Sequence, residues 1–207
     1  MPSTQDVARE RLGDLPVLVL AGEQTEGRGR SGAGWITADR ALAVSFAWRS
    51  EKGDDRPFSL MAGVAAVRAV PGARLKWPND VLIAGEKAGG ILVERSSGVT
   101  VVGLGLNLWW AEPDLGMTAL YETDPGDHAH VEVGSMWGAN LVELIDSGGW
   151  PVDEYREACV TIGHEIQWEP DGRGKAVDVA EDGALKVETV DGVEMLYSGS
   201  IRHVRPI

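Results

Sequence analysis

The sequence predicts an α+β fold, in which a mixed, mainly antiparallel sheet is flanked by helices and followed by a small β-barrel. Three observations predict this fold. Short apolar segments with tight turns between them occupy residues 73–108, helical patterns are set apart from these segments, and from Gly163 the chain changes to five short strands. We therefore expect a larger domain over residues 1–161 and a barrel domain over residues 162–207.

The first half of the chain is predicted to place its strands between helices. Ser3 followed by Asp6 and a set of apolar positions indicates a capped helix that ends near Gly13. After it we predict a strand over 16–21 that is buried on both faces, a glycine-rich loop over 22–34, a strand over 41–48, a helix over 57–70 and strands over 73–77, 80–84, 89–95 and 99–108.

The second half is predicted to end in short strands with Asp-Gly turns. Such dipeptides are strong hairpin signals, and about 45 residues of five short strands indicate a small barrel resembling SH3 folds. We predict a loop over 122–131, helices over 132–147 and 152–161, strands over 164–169, 175–180, 184–190, 193–197 and 200–204, and turns at Asp171-Gly172, Asp182-Gly183 and Asp191-Gly192.

The composition excludes several classes of function. With 43% hydrophobic and 25% charged residues, the chain is typical of a globular protein. No apolar run reaches the roughly 20 residues of a membrane span, and the first residues lack the apolar stretch of a signal peptide. A net charge of −13 argues against a nucleic-acid partner. One cysteine, Cys159, excludes an internal disulfide, so we expect a cytoplasmic protein without membrane contact.

A cationic glycine-rich loop is the first candidate site. It reads Gly27-Arg28-Gly29-Arg30 and continues through residues 31–34 to Trp35. Glycine lets a backbone approach a ligand closely, and guanidinium groups donate to carboxylate and phosphate oxygens. A solvated linker is the alternative. Because a buried strand and Trp35 anchor its two ends, the loop is suited to closing over a small anionic substrate.

Two further motifs hold lysines and glycines. In Lys76-Trp77-Pro78-Asn79-Asp80, a lysine at a strand end precedes a fixed turn and can stabilise charge that develops on a phosphate; an exposed lysine before an ordinary turn is the alternative. Lys87-Ala88-Gly89-Gly90-Ile91-Leu92 and Gly103-Leu104-Gly105-Leu106-Asn107 place glycines where a ligand can approach, or where bulges occur. A dinucleotide-binding fingerprint does not apply, because the third glycine is absent.

Taken together, these motifs resemble those of biotin protein ligases. The segment from Glu23-Gln24 to Gly32, the Lys76 motif, the Lys87 motif and the Gly103 motif occur in the order and approximate spacing of that family. Each motif is weak alone, whereas all of them in register are specific. The resemblance extends from Ser3 to the C-terminus, because the family also has a biotin/lipoate ligase-like catalytic core followed by an SH3-like barrel.

The resemblance implies an ATP-dependent, AMP-forming ligase. Such an enzyme makes biotinyl-5'-AMP from biotin and ATP, which enters with Mg²⁺, and then transfers biotin to a lysine of a biotin carboxyl carrier domain of a carboxylase. It needs no metal held directly by protein ligands. A lipoate ligase on the same fold and a degenerate paralogue that binds biotin without ligating it are the alternatives. Only two residues precede Ser3, so we expect no DNA-binding domain; a homodimer is known in the family.

The resemblance also implies roles for residues that contact biotin. Ser3 and Thr4 correspond to the family's biotin-binding Ser-Thr-Asn segment, in which Gln5 departs from asparagine. The extra methylene of Gln5 is expected to alter biotin affinity or orientation. Gln24 corresponds to a glutamine that contacts biotin. Trp35 completes this part of the expected site.

The remaining roles concern the adenylate and the nucleotide. Arg28, Gly29 and Arg30 correspond to the loop that orders over the adenylate, and Lys76 corresponds to the lysine that contacts the biotin carboxylate and the α-phosphate. We therefore expect Lys76, Arg28 and Arg30 to be catalytic. Ser31, Ala33 and Gly34 stand where the family often has basic residues, which implies a weaker grip on nucleotide. Gly90 is assigned to substrate binding, and Lys87, Asn79, Asn107 and Arg202 are assigned to nucleotide binding.

Overall fold

A computed structural model describes residues 1–30, 34–35, 38–197, 199 and 201–203. The predicted loop residues Ser31, Gly32 and Ala33 lie outside the described residues, as do both ends of the strand predicted over 200–204.

The chain forms two antiparallel sheets with helices against the first. The α+β fold class is therefore confirmed. The elements are α1 (Thr4–Arg11), β1 (Val17–Ala21), β2 (Arg40–Arg49), α2 (Phe58–Ala69), β3 (Arg74–Lys76), β4 (Asp80–Ile83), β5 (Glu86–Ser96), β6 (Val99–Trp109), α3 (Ala129–Asp146), α4 (Val152–Ala158), β7 (Glu165–Trp168), β8 (Gly172–Val179), β9 (Leu185–Thr189), β10 (Gly192–Leu196) and β11 (Ile201–His203).

The first sheet has the strand order β1-β2-β6-β5-β4-β3. Neighbouring strands are antiparallel throughout, and parallel pairing is recorded only as isolated bridges, Leu75 with Cys159 and Lys87 with Met117, in the described part of the chain. The strand predicted over 16–21 is an edge strand. Both of its faces are nevertheless covered, because Leu18 and Leu20 contact the main core while Val19 joins a second cluster with Ala8 of α1.

The two faces of the central strands differ in side-chain size, and this difference makes room for a site. Successive side chains of a strand point to opposite faces. The even-numbered residues from 42 to 48 in β2 and from 102 to 108 in β6 are large and apolar and belong to the main core with α2 and α3. The odd-numbered positions between 43 and 47 in β2, and 101 and 105 in β6, carry Ala43, Ser45, Ala47, Val101, Gly103 and Gly105.

Helix α3 lies close against β1 because two of its residues lack side chains. A Cβ added at Gly134 would collide with Leu20, and one added at Gly138 would lie 2.7 Å from Leu18 Cδ2. The two glycines are four residues apart and so share one face of the helix. The helix begins three residues before the predicted 132, whereas the helix predicted over 152–161 ends at Ala158.

The second sheet has the strand order β10-β9-β8-β7-β11, with antiparallel pairing between neighbours. Gly183 and Gly192 adopt positive φ in the predicted turns, where glycine is favoured. Its buried side chains belong to the same hydrophobic cluster as the core of the first sheet. The division at residue 161 therefore stays a prediction, because no separate core marks it.

The second sheet and its β8–β9 turn contact the rest of the chain at Trp77, at Arg156 and at Pro57. The Trp77 indole donates a hydrogen bond to Gly183 O at 3.1 Å, and Arg156 Nε donates to Val179 O at 3.0 Å. A Cβ at Gly183 would lie 2.6 Å from the Pro57 side chain. The β8–β9 turn therefore packs closely against the start of α2.

Within the described residues, no helix has both the length and the apolar character required to cross a bilayer.

Candidate active site

A cavity of about 630 Å³ opens on the small-residue face of the first sheet. Its wall combines the first turn of α1, the loop after β1, parts of β2, β5 and β6, and the β3–β4 turn. Gly199, which precedes β11, and Ile201 of β11 complete it. The predicted site residues that line it are Ser3, Thr4, Gln5, Gln24, Arg28, Gly29, Arg30, Trp35, Lys76, Asn79, Lys87 and Gly90.

Glycines form part of the cavity floor, and the aromatic ring of Trp35 lies over them. A Cβ at Gly105 would lie 2.9 Å from the Trp35 ring, and a Cβ at Gly90 would lie 3.4 Å from it. Gly90 and Gly105 are direct partners across β5 and β6, so they face the same side of the sheet. The glycines therefore let the indole of Trp35 lie against the strands.

A chain of hydrogen bonds fixes the segment Ser3-Thr4-Gln5 at the start of α1. The Ser45 hydroxyl donates to Thr4 Oγ1 at 2.8 Å. Thr4 then donates to Gln24 Oε1 twice, from its backbone N–H at 2.7 Å and from its hydroxyl at 3.1 Å. Both Thr4 donors end on the Gln24 oxygen, which orients the amide. Ser3 lies at the helix start, but its side chain does not cap α1, so that part of the helix prediction is wrong.

Gln5 places an unsatisfied acceptor in the cavity wall. Its side-chain amide donates to Leu92 O at 3.1 Å, while Oε1 is buried and has no hydrogen-bond partner among the described residues. A buried acceptor without a partner costs roughly 1–3 kcal/mol. A ligand N–H that reached this oxygen would remove that cost.

Arg28 is already paired with two carboxylates. Its guanidinium binds both oxygens of Asp6 at 2.6 Å and lies 3.4 Å from Glu94 Oε1. The hydrogen bonds from Arg28 hold the pKa of Asp6 below its ordinary value, and the same pairing raises the pKa of Arg28. Ion pairs as exposed as this one contribute about 1 kcal/mol or less, so an anionic ligand can compete for the guanidinium.

Arg30 connects three parts of the cavity wall. Nη1 donates to Asn79 Oδ1 at 2.8 Å, and Nη2 donates to Gly199 O at 3.2 Å. Asn79 in turn donates to Ile91 O at 3.1 Å. The loop, the β3–β4 turn and the segment before β11 are therefore held together through one guanidinium.

Lys76 is the cation whose charge remains available. Its register partner in β4, Asp80, is bound instead by Lys87, with Nζ and Oδ1 at 2.6 Å. Lys76 itself is half-buried, and for its Nζ no hydrogen bond or ion pair is recorded in the described part of the chain. A half-buried ammonium without a counter-ion is suited to binding an anion.

Two predicted nucleotide-binding residues do not line the cavity. Asn107 is fully buried, and its amide donates to Thr118 O at 3.1 Å. It therefore holds the segment after β6, although its Oδ1 lacks a partner among the described residues. Arg202 is exposed on β11, where it points away from the cavity-lining neighbour Ile201. Their assignments stay predictions.

The sequence reasoning missed several partners of the site residues. Ser45 supports Thr4, and its signal was a polar residue in an otherwise apolar strand. Asp6 and Glu94 bind Arg28, whereas the sequence pattern indicates Asp6 only as a helix-start residue. In the described ranges, no group of three or more His, Cys, Asp or Glu side chains could hold a metal ion. The polar groups that line the cavity are amides, hydroxyls, cations and the carboxylate of Asp80, which Lys87 binds.

Family models match most of the chain. The model of the biotin/lipoate A/B protein ligase family matches residues 2–108, just over half of the chain. The model of the biotin protein ligase C terminal domain matches residues 171–204.

Individual relatives and a solved structure agree with these models. The biotin--[acetyl-CoA-carboxylase] ligase of Mycobacterium tuberculosis is 29% identical over 214 residues, which cover 91% of this chain and 79% of that protein. The protein of the same description from Paracoccus denitrificans is 39% identical over 121 residues, 52% of this chain and 50% of that protein. The structure of biotin protein ligase from Aquifex aeolicus in complex with biotin and ATP superposes with a TM-score of 0.81 at 26% identity, covering 98% of this chain and 96% of that one.

Proposed function

The chain belongs to the biotin/lipoate A/B protein ligase family, and we propose that it is an ATP-dependent biotin protein ligase. It forms biotinyl-5'-AMP from biotin and ATP, and it transfers biotin to a lysine of a biotin carboxyl carrier domain. The relatives described as biotin ligases and the similar structure that holds biotin and ATP support this function.

One observation carries the proposal. Segments that are far apart in sequence, from α1, the cationic loop, the β3–β4 turn and β5, line one cavity with their predicted site residues. That cavity joins amide and hydroxyl groups near Gln5 and Thr4 to cations at Lys76 and Arg30. A ligand with a neutral polar end and an anionic end fits this arrangement. Biotin is such a ligand, because its ureido ring is neutral and polar and its carboxylate is anionic.

In the first step the biotin carboxylate attacks the α-phosphorus of ATP, an acyl–phosphate bond forms, and the bond to pyrophosphate breaks. Magnesium enters as part of the ATP complex. Both reactants are anions, so a cation between them lowers their repulsion and stabilises the charge that develops in the transition state. Lys76 performs this role. Because no protein nucleophile is needed, the enzyme acts by positioning and by electrostatic stabilisation.

In the second step the ε-amine of the acceptor lysine attacks the carbonyl carbon of the adenylate. An amide bond forms, the acyl–phosphate bond breaks, AMP leaves and the amine loses a proton. The mixed anhydride is sensitive to water, so a cover that excludes solvent protects it. The loop of Arg28 and Arg30 supplies that cover, with Arg30 tied to Gly199.

The other two functions are less well supported. A lipoate ligase shares the catalytic fold, but the chain also matches the biotin protein ligase C terminal domain. A degenerate paralogue would be expected to lose charged groups from the cavity, whereas Lys76, Lys87, Arg28 and Arg30 all line it.

Mass spectrometry of an acceptor tests the proposal. Protein is incubated with ATP, Mg²⁺ and a biotin carboxyl carrier domain, once with biotin and once with lipoate. We expect the acceptor mass to rise by one biotinyl group in the first reaction only, and not at all when the target lysine is replaced by arginine. Transfer of lipoate alone, or biotin binding without transfer, would contradict the proposed function.

The cellular setting is proposed on narrower grounds. The single cysteine, Cys159, is free and buried, which is compatible with a reducing compartment, so we propose a cytoplasmic enzyme that acts on a carboxylase. A homodimer formed through the first sheet stays a prediction, which sedimentation of the purified protein would test.

A further inference from the structure

The Lys76 strand is supported on its outer edge by the segment that joins the two sheets. We call residues 159–164 the connector. Val160 N–H donates to Leu75 O at 2.8 Å, and Leu75 forms a parallel bridge with Cys159. The connector also bonds to β8, because Gly163 N–H donates to Ala176 O at 2.7 Å and Ala176 N–H donates to His164 O at 3.0 Å. It therefore links β3 to the second sheet.

The connector bonds the main chain of Trp77 through the side chain of Thr161, whereas it bonds Leu75 through its own backbone. Trp77 N–H donates to Thr161 Oγ1 at 3.0 Å, and Thr161 is fully buried. The Trp77 indole is bonded separately to Gly183 O. The residue directly after Lys76 is thus held through both its main chain and its side chain, and both contacts come from residues beyond 160.

The Thr161 hydroxyl can donate its proton to a nearby acceptor, His203 Nε2. Because Oγ1 accepts from Trp77, its own proton is free to be donated elsewhere. His203 Nε2 lies 3.3 Å from the same oxygen. His164 stacks on the His203 ring, with centroids 5.1 Å apart and an interplanar angle of 11°. Burial, Lys76 and His164 together lower the pKa of His203 from 6.5 to about 4, so the ring is neutral near pH 7 and Nε2 can accept.

We propose that Thr161 is a positioning residue for Lys76, acting through the Trp77 main chain, and that His203 completes this bridge from the second sheet. The inference rests on the proposed function, in which the Lys76 ammonium meets the reacting anions. Lys76 lies between Leu75 and Trp77, and the connector bonds the main chain of both neighbours. The backbone that carries the ammonium is therefore fixed to the second sheet as well as to β4.

The expected consequence is a loss of rate with little loss of binding. Displacement of a positioned group by about 1 Å can cost up to 100-fold in rate. Biotin and ATP contact many other groups in the cavity, so their affinities depend less on Thr161. A residue that supports only the fold would lower the melting temperature and leave the turnover of the folded enzyme unchanged.

The test compares Thr161→Val with Thr161→Ser. Pyrophosphate release is measured at saturating biotin and ATP, together with both KM values and the melting temperature. We expect Thr161→Val to lower kcat about tenfold with KM values changed by about twofold or less, and Thr161→Ser, which keeps the hydroxyl, to restore most of kcat. Thr100→Val is the matched control, because Thr100 is also fully buried and bonds Ser50 outside the cavity.

A second pair of variants keeps the proposal testable if Thr161→Val does not fold. His203→Leu removes the acceptor for the Thr161 proton, whereas His203→Gln retains one. We expect kcat to fall in the leucine variant and to remain near the wild-type value in the glutamine variant. Wild-type kcat in both Thr161→Val and His203→Leu would overturn the positioning role while leaving the ligase function intact. Absence of pyrophosphate release in the wild-type protein would overturn both.

Discussion

Among single residues, Lys76 differs from the other cations that line the cavity in having no recorded hydrogen-bond or ion-pair partner among the described residues, whereas Arg30 bonds Asn79 and Gly199. Arg28 binds Asp6, and Lys87 binds Asp80. A paired cation has to give up part of its pairing to meet a new anion, whereas an unpaired one does not. Lys76 is therefore the group whose charge is fully available to the substrates.

Replacing Lys76 by alanine should remove most of the adenylation activity. We expect pyrophosphate release to fall by about 100-fold or more, because electrostatic stabilisation of the transition state is lost. The melting temperature should change little, since no hydrogen bond or ion pair of the Lys76 side chain is recorded among the described residues. Lys52→Ala, at an exposed lysine, is the control. An unchanged rate of pyrophosphate release in Lys76→Ala would remove the catalytic assignment.

Gln5 should influence biotin binding through its unpaired oxygen. Gln5→Leu removes the buried acceptor while keeping a similar volume, and we expect KM for biotin to rise about tenfold with a smaller change in kcat. Gln5→Asn withdraws the amide and should also shift KM for biotin. Steady-state kinetics with varied biotin measures both effects. If neither variant changed KM for biotin, the acceptor at Gln5 would not contact the substrate.

At the scale of elements, the cationic loop is coupled to its surroundings by long-range contacts. Arg28 reaches α1 and β5, whereas Arg30 reaches the β3–β4 turn and Gly199. The loop therefore connects α1 to the segment before β11. Closure of the cavity depends on all of these elements together.

Weakening the loop should release the intermediate. In Arg30→Gly the bonds to Asn79 and Gly199 are lost, and the glycine adds backbone freedom. We expect pyrophosphate release to continue while free biotinyl-adenylate accumulates in solution, as measured by chromatography without an acceptor. Arg30→Lys keeps the charge but cannot reproduce both guanidinium hydrogen bonds, so it should release an intermediate amount of adenylate. Equal adenylate release by wild type and Arg30→Gly would show that Arg30 does not retain the intermediate.

Most elements could be predicted from local patterns. The errors occur where contacts with residues distant in sequence determine the end of an element or the partners of a side chain. The Asp-Gly turns and the alternation of apolar residues identified the strands, because those signals lie within a few residues. Helix α4 ends before the predicted residue 161 because Cys159 and Val160 pair with Leu75, a contact that spacing does not reveal. The resemblance indicated the site residues, but it did not indicate that Asp6 and Glu94 bind Arg28.

At the scale of the whole molecule, the fold places a cationic cavity in a protein of net charge −13. The acidic surroundings repel anions at long range, and this repulsion is screened over about 10 Å at 0.1 M salt. Attraction must therefore come from groups inside the cavity. The junction of the two sheets contributes directly, because Gly199 and Ile201 line the cavity and His203 lies within 3.3 Å of Thr161 in the connector.

The same junction should make stability depend on pH. Burial, followed by Lys76 and His164, lowers the pKa of His203 to about 4, whereas the unfolded value is 6.5. Between these values the unfolded chain binds a proton that the folded protein does not, so the free energy of unfolding falls as pH decreases from 6.5 to 4. Carboxylates with lowered pKa values, such as Asp6 and Glu154, lose most of their contribution below their ordinary values of 3.8 and 4.5, at or beyond the acid end of this window.

Urea unfolding at several pH values between 7 and 5 measures this dependence, and His203→Gln isolates its source. Glutamine cannot titrate but keeps an acceptor for Thr161, so we expect the variant to lose less stability than the wild type as the pH falls. His128→Gln is the matched control, since His128 is exposed and should leave the wild-type slope unchanged. Parallel pH profiles for wild type and His203→Gln would mean that His203 protonates as readily in the folded protein as in the unfolded chain, and the neutral ring required by the Thr161 bridge would then be absent at the lower pH values.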